Sequence, residues 1–361
     1  MTLLAGTLLA ALPAAATAGE ACQAAGNWDI QCLRQAYGKP LAAWPAPQVE
    51  GQVAWREMAS LQPPDLPATL PYPLLKLGIR LFFDPALSAS GKIACASCHR
   101  PEHAYADTLA VTPGHEGRLG RRNAPALVGV AGASSLFWDG RSPSLEHQAL
   151  GPIADPAEMA MELRQLPAKL AAIPGYAEDF TAAWGDPAVT LERIQATLAA
   201  YQRTLVAERT AFDAFIDGDG KALDDQQLLG LHLFRTKARC MTCHSGPTLS
   251  DNEFHNLGLT YFGRKFEDLG RYNVTGRNED VGKFKTPTLR NVSRSGPWMH
   301  NGLFKSLRGL VNLYNAGMAR PKPASEAQAK DPRFPVTSDL LKPLKLDERE
   351  AQALDAFLKV L

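Results

Sequence analysis

The sequence predicts a mainly α, loop-rich protein that is divided into two domains. Its 361 residues suit two domains at about 150 residues each. Hydrophobic residues recur at helical spacing in several segments, and no segment shows the sustained apolar–polar alternation of a β-strand. The 29 glycines and 27 prolines exceed average usage, which indicates long ordered loops between the helices.

The charge balance excludes two classes of partner. Lysines and arginines number 38 against 37 aspartates and glutamates, so the formal net charge is +1. A chain this close to neutral has no excess of basic surface for nucleic acid or an anionic membrane. Beyond the N-terminus, no apolar stretch approaches the length of a membrane span. We therefore expect no nucleic-acid partner and no membrane span.

The N-terminus has the form of a secretory signal peptide. Residues 3–12 are apolar, and Ala16-Thr17-Ala18 is a small-residue cleavage signal. We predict a signal peptide over residues 1–18 and export of the mature chain to a periplasm. The alternative is a buried apolar segment, since the usual basic residues before the apolar stretch are missing.

Residues 19–65 are predicted to form an N-terminal extension, because they are weakly periodic and contain several prolines and tryptophans. Cys22 and Cys32 lie in this extension, ten positions apart. In an oxidising compartment these two cysteines are expected to form a disulfide that fastens the extension, and two free thiols are the alternative.

The first of the two domains is predicted over residues 66–217. Residues 74–82 predict a short helix, and hydrophobic residues from Leu191 to Leu205 predict a longer amphipathic helix. The turn-forming run Asp-Gly-Asp-Gly at residues 217–220 is the predicted domain boundary.

The second domain is predicted over residues 218–361. A helix is predicted over residues 224–234, and residues 236–297 are rich in loop. Ser306 is the expected N-cap of a further helix, and Asp347 starts a last helix that continues through Leu358.

Four of the six cysteines lie in two CxxCH motifs, Cys95–His99 and Cys240–His244. On one helical turn, two thiols at this spacing reach the two vinyl groups of a haem, and the adjacent histidine ligates the iron. Zinc knuckles and thioredoxin-like pairs use CxxC alone and leave both histidines unexplained. The motifs predict two c-type haems, held by Cys95, Cys98, Cys240 and Cys243 and ligated by His99 and His244. Each half has a helix, a CxxCH motif, a long loop and a helix, which predicts two cytochrome c-like domains.

Further motifs accompany these two haem sites. They are residues 81–88 (LFFDPALS), 122–125 (RNAP), 137–141 (FWDGR), 148–153 (QALGPI), 284–292 (FKTPTLRNV) and 298–302 (WMHNG). In order and spacing, the set resembles the bacterial di-haem cytochrome c peroxidases and their MauG-like relatives. The resemblance covers about residues 70–361 and leaves out the extension.

The resemblance implies a peroxide-reducing site at the first haem. In the family, a glutamate moves a proton between the peroxide oxygens with help from a glutamine, and these match Glu158 and Gln148. Both are expected in the loop-rich segment after the first haem motif. His115, sixteen residues after His99, matches the histidine that caps the oxidised first haem and leaves on activation. The alternative is an exposed loop histidine, which leaves that haem five-coordinate as in MauG-like proteins.

The resemblance also points to the sixth ligand of the second haem. In the family this ligand lies fourteen residues after the histidine of an HDG-type motif, and it is Met in the peroxidases and Tyr in MauG. Here that histidine matches His300, and the residue fourteen positions later is Tyr314. Tyr314 also continues the apolar face of the helix that Ser306 caps, so it points inward. Met318 and Met299 are the alternatives, and so is a core tyrosine without a metal role. Thioether ligation favours ferrous iron, whereas a phenolate favours higher oxidation states.

Three further expectations follow from the resemblance. Trp138 matches the tryptophan between the haems, an electron relay, with plain core packing as the alternative. Asn123, Ser295 and Pro297 match an interdomain Ca²⁺ site, through oxygen ligands that suit this ion. Ala238 stands where the maturase of methylamine dehydrogenase has a surface tryptophan that passes holes to its partner, which weakens the transfer of that substrate.

Three functions are therefore compared. The first is a periplasmic di-haem peroxidase that reduces hydrogen peroxide at the His99 haem, with electrons relayed through the His244 haem. The second is a MauG-like oxidase that uses peroxide to oxidise side chains of a partner protein. The third is a di-haem electron carrier, which the two predicted catalytic residues disfavour. His115 favours the first function and Tyr314 the second. Expected partners are hydrogen peroxide with a small c-type cytochrome or another periplasmic donor, or a protein substrate, and a homodimer is compatible with the resemblance.

Overall fold

The computed structural model describes residues 22–24, 26–61 and 70–361, and the predicted signal peptide lies outside them. Over these residues the fold is mainly helical, as predicted. The helices are α1 (Ile30–Tyr37), α2 (Tyr72–Phe83), α3 (Leu145–Ala154), α4 (Leu166–Ala171), α5 (Tyr176–Trp184), α6 (Leu191–Arg203), α7 (Ala211–Ile216), α8 (Asp225–Arg235), α9 (Tyr272–Thr275), α10 (Leu307–Asn315), α11 (Glu326–Lys330) and α12 (Glu348–Leu358). Short strands form two antiparallel pairs, β1 (Gln23–Ala24) with β2 (Asn27–Trp28) and β3 (Phe254–Asn256) with β4 (Lys283–Lys285). In the described part of the chain, no helix is long and apolar enough to cross a membrane.

The first hydrophobic core lies between α2, α5 and α6. Leu77, Leu81 and Phe82 of α2 are buried in it together with Leu198 of α6. Gly78 lets α2 approach α6 closely, because a Cβ at this position would lie 2.9 Å from a backbone oxygen of α6. This core supports the first CxxCH motif, which follows α2 in the chain.

The second hydrophobic core is built on the pair α8 and α12. Gly230 of α8 makes their close contact feasible, because a Cβ there would overlap the carbonyl oxygen of Ala353 in α12. Asp224 and Asp347 are the N-caps of the two helices, and each carboxylate accepts a hydrogen bond from a backbone amide of the first turn. The second CxxCH motif follows α8 directly.

The N-terminal extension belongs to the second core. Tyr37, Trp44 and Met58 are buried in that core against residues of α8. The predicted disulfide between Cys22 and Cys32 is confirmed, and it joins α1 to the residue before β1. The extension is therefore a covering layer of the second domain.

The chain passes from the first core to the second before the predicted boundary at residue 217. Leu205 is the last buried residue of the first core, whereas Phe212 and Phe215 of α7 pack in the second core. Asp213 of α7 also forms a buried ion pair with Arg290, 2.9 Å from carboxylate oxygen to guanidinium nitrogen. The turn signal at residues 217–220 follows α7, which is why the sequence placed the boundary after this helix.

The sequence located most of the long helices correctly. The helices predicted over residues 74–82, 191–205 and 224–234, after Ser306, and from Asp347 to Leu358 are confirmed as α2, α6, α8, α10 and α12. In each case the apolar spacing or the N-cap residue carried enough information, since both features are local.

The expectation that Gln148 lies in a loop was wrong, because Gln148 is on α3. Ser144 is the N-cap of this helix, and its hydroxyl accepts a hydrogen bond from the backbone of His147 at 3.2 Å. The helix continues through Gly151 and Pro152 in its last turn. These two residues disfavour helix, so the sequence pattern favoured a loop where packing against α6 stabilises a helix.

Candidate active site

The first CxxCH motif holds its histidine ready to bind a metal. Cys95 begins a single 3₁₀ turn, and the amide of His99 donates to the carbonyl oxygen of Cys95 at 2.9 Å. The Nδ1 atom of His99 lies 2.8 Å from the carbonyl oxygen of Tyr105. With its proton on Nδ1, the ring donates to that carbonyl and leaves Nε2 free for iron. Burial lowers the pKa of His99, which favours the neutral ring that a metal requires.

The second CxxCH motif repeats this arrangement. The Nδ1 atom of His244 lies 3.0 Å from the carbonyl oxygen of Leu249. Tyr105 and Leu249 both have left-handed backbone conformations, with φ of 57° and 52°. Residues other than glycine rarely adopt this conformation. The unusual backbone is thus placed at the two residues whose carbonyls orient the histidines. Neither residue was predictable from the sequence, because a backbone carbonyl leaves no side-chain signal.

A cavity of about 320 Å³ opens beside the second motif. Cys240, Cys243 and His244 form part of its wall, and apolar side chains of α8, α10 and α12 form much of the rest. Two thiols, an imidazole and an apolar enclosure are the groups that attach, ligate and bury a c-type haem. The residues of this site therefore fit a haem.

Tyr314 is placed in the wall of this cavity by α10, and Met299 also lines it. Met318, the alternative ligand, is buried after the end of α10 and is absent from the described residues that line the cavity. Burial raises the pKa of Tyr314, and the sulfurs of the two nearby cysteines add to the rise. A buried phenol favours its neutral form unless a cation such as iron stands beside it. Tyr314 as the iron ligand stays a prediction.

Two of the predicted residues of the first haem site meet through their backbones. The amide of His115 donates to the carbonyl oxygen of Glu158 at 2.7 Å. A Cβ on the preceding Gly114 would overlap the carbonyl oxygen of Ala157 and lie 2.7 Å from the Cα of Glu158. Only a glycine permits this approach, so the sequence fixes the loop of His115 against the segment of Glu158.

The imidazole of His115 is held loosely by comparison. Its Nδ1 is buried without a hydrogen-bond partner among the described residues, and its Nε2 lies 3.8 Å from the carboxylate of Glu116. Glu116 and Gly117 have left-handed backbones, with φ of 55° and 75°. The ring therefore has a nitrogen available for a ligand, as the prediction requires.

The carboxyl group of Glu158 is in a setting that favours protonation. Burial raises its pKa first, the nearby charge of Asp155 raises it further, and Arg141 opposes the rise. Burial raises the pKa of the Cys98 thiol to about 11, and the Glu158 carboxylate is among the charges that add to it. Glu158 therefore lies within electrostatic range of the first CxxCH motif.

Gln148 lies on α3, and no contact described in the structure joins it to Glu158. Gly151, one turn further along α3, lies against Phe137, since a Cβ there would be 2.9 Å from the ring. The guanidinium of Arg141 stacks on the same Phe137 ring, 3.4 Å from its centre. Among the described residues, no hydrogen bond joins the side chains of Gln148 and Glu158, so the catalytic role of Gln148 stays a prediction.

Trp138 connects the two halves of the molecule. Its Nε1 donates to the carbonyl oxygen of Asn123 at 2.9 Å, and its carbonyl oxygen accepts from the amide of Lys285 at 2.8 Å. Its ring lies 6.5 Å from the ring of His300, which stacks on Phe284 at 3.6 Å. All three rings line the cavity beside the second motif. The predicted relay tryptophan is thus at the edge of the second haem site.

Arg122 holds Trp138 and the second domain together. One guanidinium nitrogen lies 2.6 Å from the carboxylate of Asp139, next to Trp138. Two others lie 2.6 and 2.8 Å from the carboxylate of Asp268, which belongs to the predicted second domain. Both carboxylates are buried and Arg122 is largely covered, so this three-residue network fixes the position of the tryptophan. The sequence showed Arg122 only as part of a motif.

The three predicted calcium ligands lie in one region, since Asn123, Ser295 and Pro297 all line the same cavity. The side-chain amide of Asn123 donates to the carbonyl oxygens of Leu109 and Ala110 at 3.1 and 3.3 Å. The hydroxyl of Ser295 donates to a backbone carbonyl at 3.2 Å. The region is rich in oxygen atoms, and the calcium site stays a prediction.

Comparisons with known proteins identify the family of this chain. The profile of the di-haem cytochrome c peroxidase family matches residues 73–221. The cytochrome-c peroxidase IdrP1 of Pseudomonas sp. is 34% identical over 342 residues, which cover 84% of this chain and 85% of that protein. The methylamine utilization protein MauG of Methylophilus methylotrophus is 37% identical over 263 residues, covering 71% and 77% of the two chains.

A solved structure supports the fold as well. A MauG-like protein associated with microbial copper homeostasis superposes with a TM-score of 0.73 at 28% identity, over 85% of this chain and 94% of that chain. The chain belongs to the di-haem cytochrome c peroxidase family. It is accordingly a haem peroxidase-type oxidoreductase with two c-type haems.

Proposed function

We propose that this family member is an exported peroxidase that reduces hydrogen peroxide beside His99, with electrons arriving through the site of His244. The observation that carries the proposal is the contact of two segments at the first CxxCH motif. The amide of His115 donates to the carbonyl of Glu158, and Gly114 packs on the same backbone. A ligand that can leave and a carboxyl group that can exchange a proton therefore share one site. A haem that only carries electrons needs neither.

A c-type haem in the first site supplies the iron that binds and splits peroxide. Glu158 accepts the proton of the inner peroxide oxygen and returns it to the outer oxygen, which then leaves as water. Burial raises the pKa of Glu158 and brings its proton exchange closer to neutral pH. Gln148 orients the peroxide through its side-chain amide. Each peroxide takes up two electrons and two protons and yields two water molecules.

His115 controls access to this site in the proposal. With a haem bound at this site, His115 would ligate its iron in the resting protein and would withdraw on reduction of the second site. The imidazole can swing away because its Nδ1 has no hydrogen-bond partner among the described residues, while the backbone of Gly114 and His115 stays against residues 157–158. Withdrawal exposes the carboxyl group of Glu158 to incoming peroxide.

Trp138 passes electrons between the two sites in the proposal. Its ring contacts His300 and lines the second cavity, while its own segment belongs to the predicted first domain. Tyr314 is proposed as the sixth ligand on the second side, supported by its place in the cavity wall. Asn123, Ser295 and Pro297 are proposed to hold a calcium ion near the tryptophan.

The electron donor is proposed to be a small c-type cytochrome in the periplasm. This proposal is supported by the relative named above as a cytochrome-c peroxidase. The predicted signal peptide and the disulfide between Cys22 and Cys32 support an oxidising compartment outside the cytoplasm.

The direct test is the variant Glu158→Gln in the protein loaded with both haems. A glutamine keeps the shape of the side chain but cannot exchange a proton, so kcat/KM for peroxide should fall by about 10²- to 10⁴-fold. The measurement is peroxide consumption with a reduced small c-type cytochrome. Haem content and optical spectra should match those of the unmodified protein.

The matched control is Glu162→Gln, which removes an exposed carboxyl group four residues further along the chain. This variant should retain the full rate. Equal rates in Glu158→Gln and the unmodified protein would remove the catalytic assignment of Glu158.

A second candidate function is oxidation of a partner protein in the manner of MauG. It is favoured by one observation, the position of Tyr314 in the cavity and of Met318 outside its described lining. EPR and optical spectra of the oxidised protein separate the two cases. A histidine–methionine charge-transfer band would exclude Tyr314 as the ligand, and a five-coordinate high-spin first haem would exclude the resting role of His115.

A further inference from the structure

A tyrosine of the N-terminal extension is hydrogen-bonded to a histidine inside the second core. The hydroxyl of Tyr37, at the end of α1, lies 2.9 Å from the Nδ1 atom of His232 on α8. Only 2% of Tyr37 and 1% of His232 are exposed. Neither residue has a part in peroxide reduction as described above, and Tyr37 lies outside residues 73–221 that match the family profile. The pair is a feature of this chain that needs its own explanation.

The protonation states suit a transfer of one proton from Tyr37 to His232. Burial and the charge of Arg235 lower the pKa of His232 to about 4, so its ring is neutral at neutral pH. Burial raises the pKa of Tyr37 above its ordinary value, so the phenol keeps its proton. With the histidine proton on Nε2, Nδ1 accepts from the hydroxyl. A phenol gives up an electron far more readily when such a base takes its proton at once.

The environment of His232 holds its ring neutral in the resting protein, so the imidazolium is a transient product of the transfer. Burial and the charge of Arg235 keep the pKa of His232 low. Glu57 offsets part of that charge, since its carboxylate oxygens lie 2.5 and 2.9 Å from the guanidinium nitrogens. The proton still moves to Nδ1 once Tyr37 is oxidised, because an oxidised phenol is a far stronger acid than an imidazolium. The ring of Trp28 packs beside that of His232, 5.0 Å away.

A chain of contacts leads from the pair to the second haem site. The rings of Tyr37 and Trp44 are 5.0 Å apart, and the guanidinium of Arg235 lies 5.5 Å from the centre of the Trp44 ring. A nitrogen of Arg235 lies 3.7 Å from the sulfur of Met241. Met241 is inside the second CxxCH motif, between its two cysteines. Dense packing therefore connects Tyr37 to the segment that carries the second haem.

We propose that Tyr37 is a one-electron donor to the second haem site, with His232 as the acceptor of its proton. The proposal rests on the proposed peroxidase function, since peroxide is the oxidant. In the step, Tyr37 loses one electron to the oxidised centre at His244, its O–H bond breaks, and the proton moves to Nδ1 of His232. The products are a neutral tyrosyl radical and an imidazolium. The step operates when the external donor is exhausted, and an electron from a reductant with return of the proton restores the pair.

The first domain contains a matched pair that lacks the proton acceptor. The hydroxyls of Tyr105 and Tyr201 lie 3.2 Å apart, close to the first CxxCH motif. Burial raises the pKa of Tyr201, and its phenol partner adds to the rise. A protonated phenol cannot take up a second proton near neutral pH, so this pair should not form a stable neutral radical. The two pairs thus differ in one chemical property.

The test uses the protein with both haems, mixed with one equivalent of hydrogen peroxide without a donor and frozen at once. EPR should show an organic radical with tyrosyl hyperfine structure, and exchange into deuterated water should reveal a coupled proton from His232. Tyr37→Phe should lose at least nine-tenths of this signal. Tyr201→Phe should keep it, and His232→Gln should lose it as Tyr37→Phe does, because a glutamine amide cannot take up the proton.

Peroxide consumption is measured on the same samples, so the two proposals fail in different ways. No consumption in the unmodified protein contradicts the peroxidase function. Normal consumption with an unchanged radical in Tyr37→Phe contradicts the role of Tyr37. Should Tyr37→Phe not take up both haems, a nitrone spin trap and peptide mapping are applied to the unmodified protein. An adduct at Tyr37 supports the proposal, and an adduct elsewhere or none overturns it.

Discussion

The two haem regions orient their histidines in the same way and differ in the other residues predicted at each site. On the proximal side, both histidines place Nδ1 against a carbonyl of a left-handed residue, 2.8 Å away for His99 and 3.0 Å for His244. On the other side, the first region has a loop with glycines and a carboxyl group, whereas the second has Tyr314 on a helix. In the proposed function these two regions have different roles. The first would admit peroxide, and the second would hold Tyr314, its predicted ligand, on helix α10.

The largest expected effect concerns the contact that holds the two regions together. Arg122→Gln leaves the buried carboxylate of Asp268 without its ion pair, which should lower the free energy of unfolding by about 3–5 kcal/mol. Denaturant unfolding of the haem-loaded protein measures this loss. Arg193→Gln is the control, since its pair with Asp186 lies at the surface, and it should leave the free energy of unfolding nearly unchanged. Equal losses in both variants would show that the network does not join the regions.

The same network predicts a pH dependence. Burial raises the pKa of Asp268, but the hydrogen bond and charge of Arg122 outweigh it and leave the pKa below its ordinary value. A depressed pKa stabilises the fold above the ordinary carboxyl range and loses this effect as the pH falls through that range. The stability difference between the unmodified protein and Arg122→Gln should therefore shrink at acid pH. A difference that grows on acidification would reverse the assigned sign.

The next effect tests the distal side of the first region alone. In Gly114→Ala, the new methyl group collides with the backbone of residues 157–158 and must push the His115 loop away. Because small displacements of catalytic groups are costly, kcat/KM for peroxide should fall by about 10²-fold. Gly120→Ala is the matched control in the same segment, since a Cβ there has its nearest neighbour at 4.0 Å. The measurement is steady-state peroxide reduction by both variants. Full activity in Gly114→Ala would mean that the contact has no catalytic role.

The smallest of these effects belongs to the second region. Replacing both Cys22 and Cys32 with serine should lower stability by about 2–3 kcal/mol, because the disulfide closes a short loop. Thermal unfolding should show a lower Tm, while the optical spectrum of the first haem stays unchanged because the extension packs on the second core. A change in the optical spectrum of the first haem would contradict the assignment of the extension to the second core.

Much of the fold was predictable because its signals are local. The spacing from Leu191 to Leu205 and the cap residues Ser306 and Asp347 each predicted a helix that the structure contains. Helix α3 was missed because Gly151 and Pro152 disfavour helix in isolation, while contacts with α6 stabilise it. Local preference was overruled by packing there.

The candidate site was predictable where chemistry depends on side-chain type, and less so elsewhere. The two CxxCH motifs were recognisable from their residue types and spacing. The carbonyls of Tyr105 and Leu249 did not, because every residue has a carbonyl and only the backbone conformation selects these two. The contact of Tyr37 with His232 spans 195 residues of sequence, and nothing local encodes it.

The central claim is that small ligands enter the first haem region and not the second. EPR of the oxidised protein carrying His115→Gly, with and without cyanide, tests it directly. The signal of the second haem is identified by the additional substitution Tyr314→Phe, which should shift that signal alone. Cyanide should convert the first haem signal to a low-spin form and leave the second unchanged. A cyanide-induced change at the second haem, or none at the first, would contradict the account.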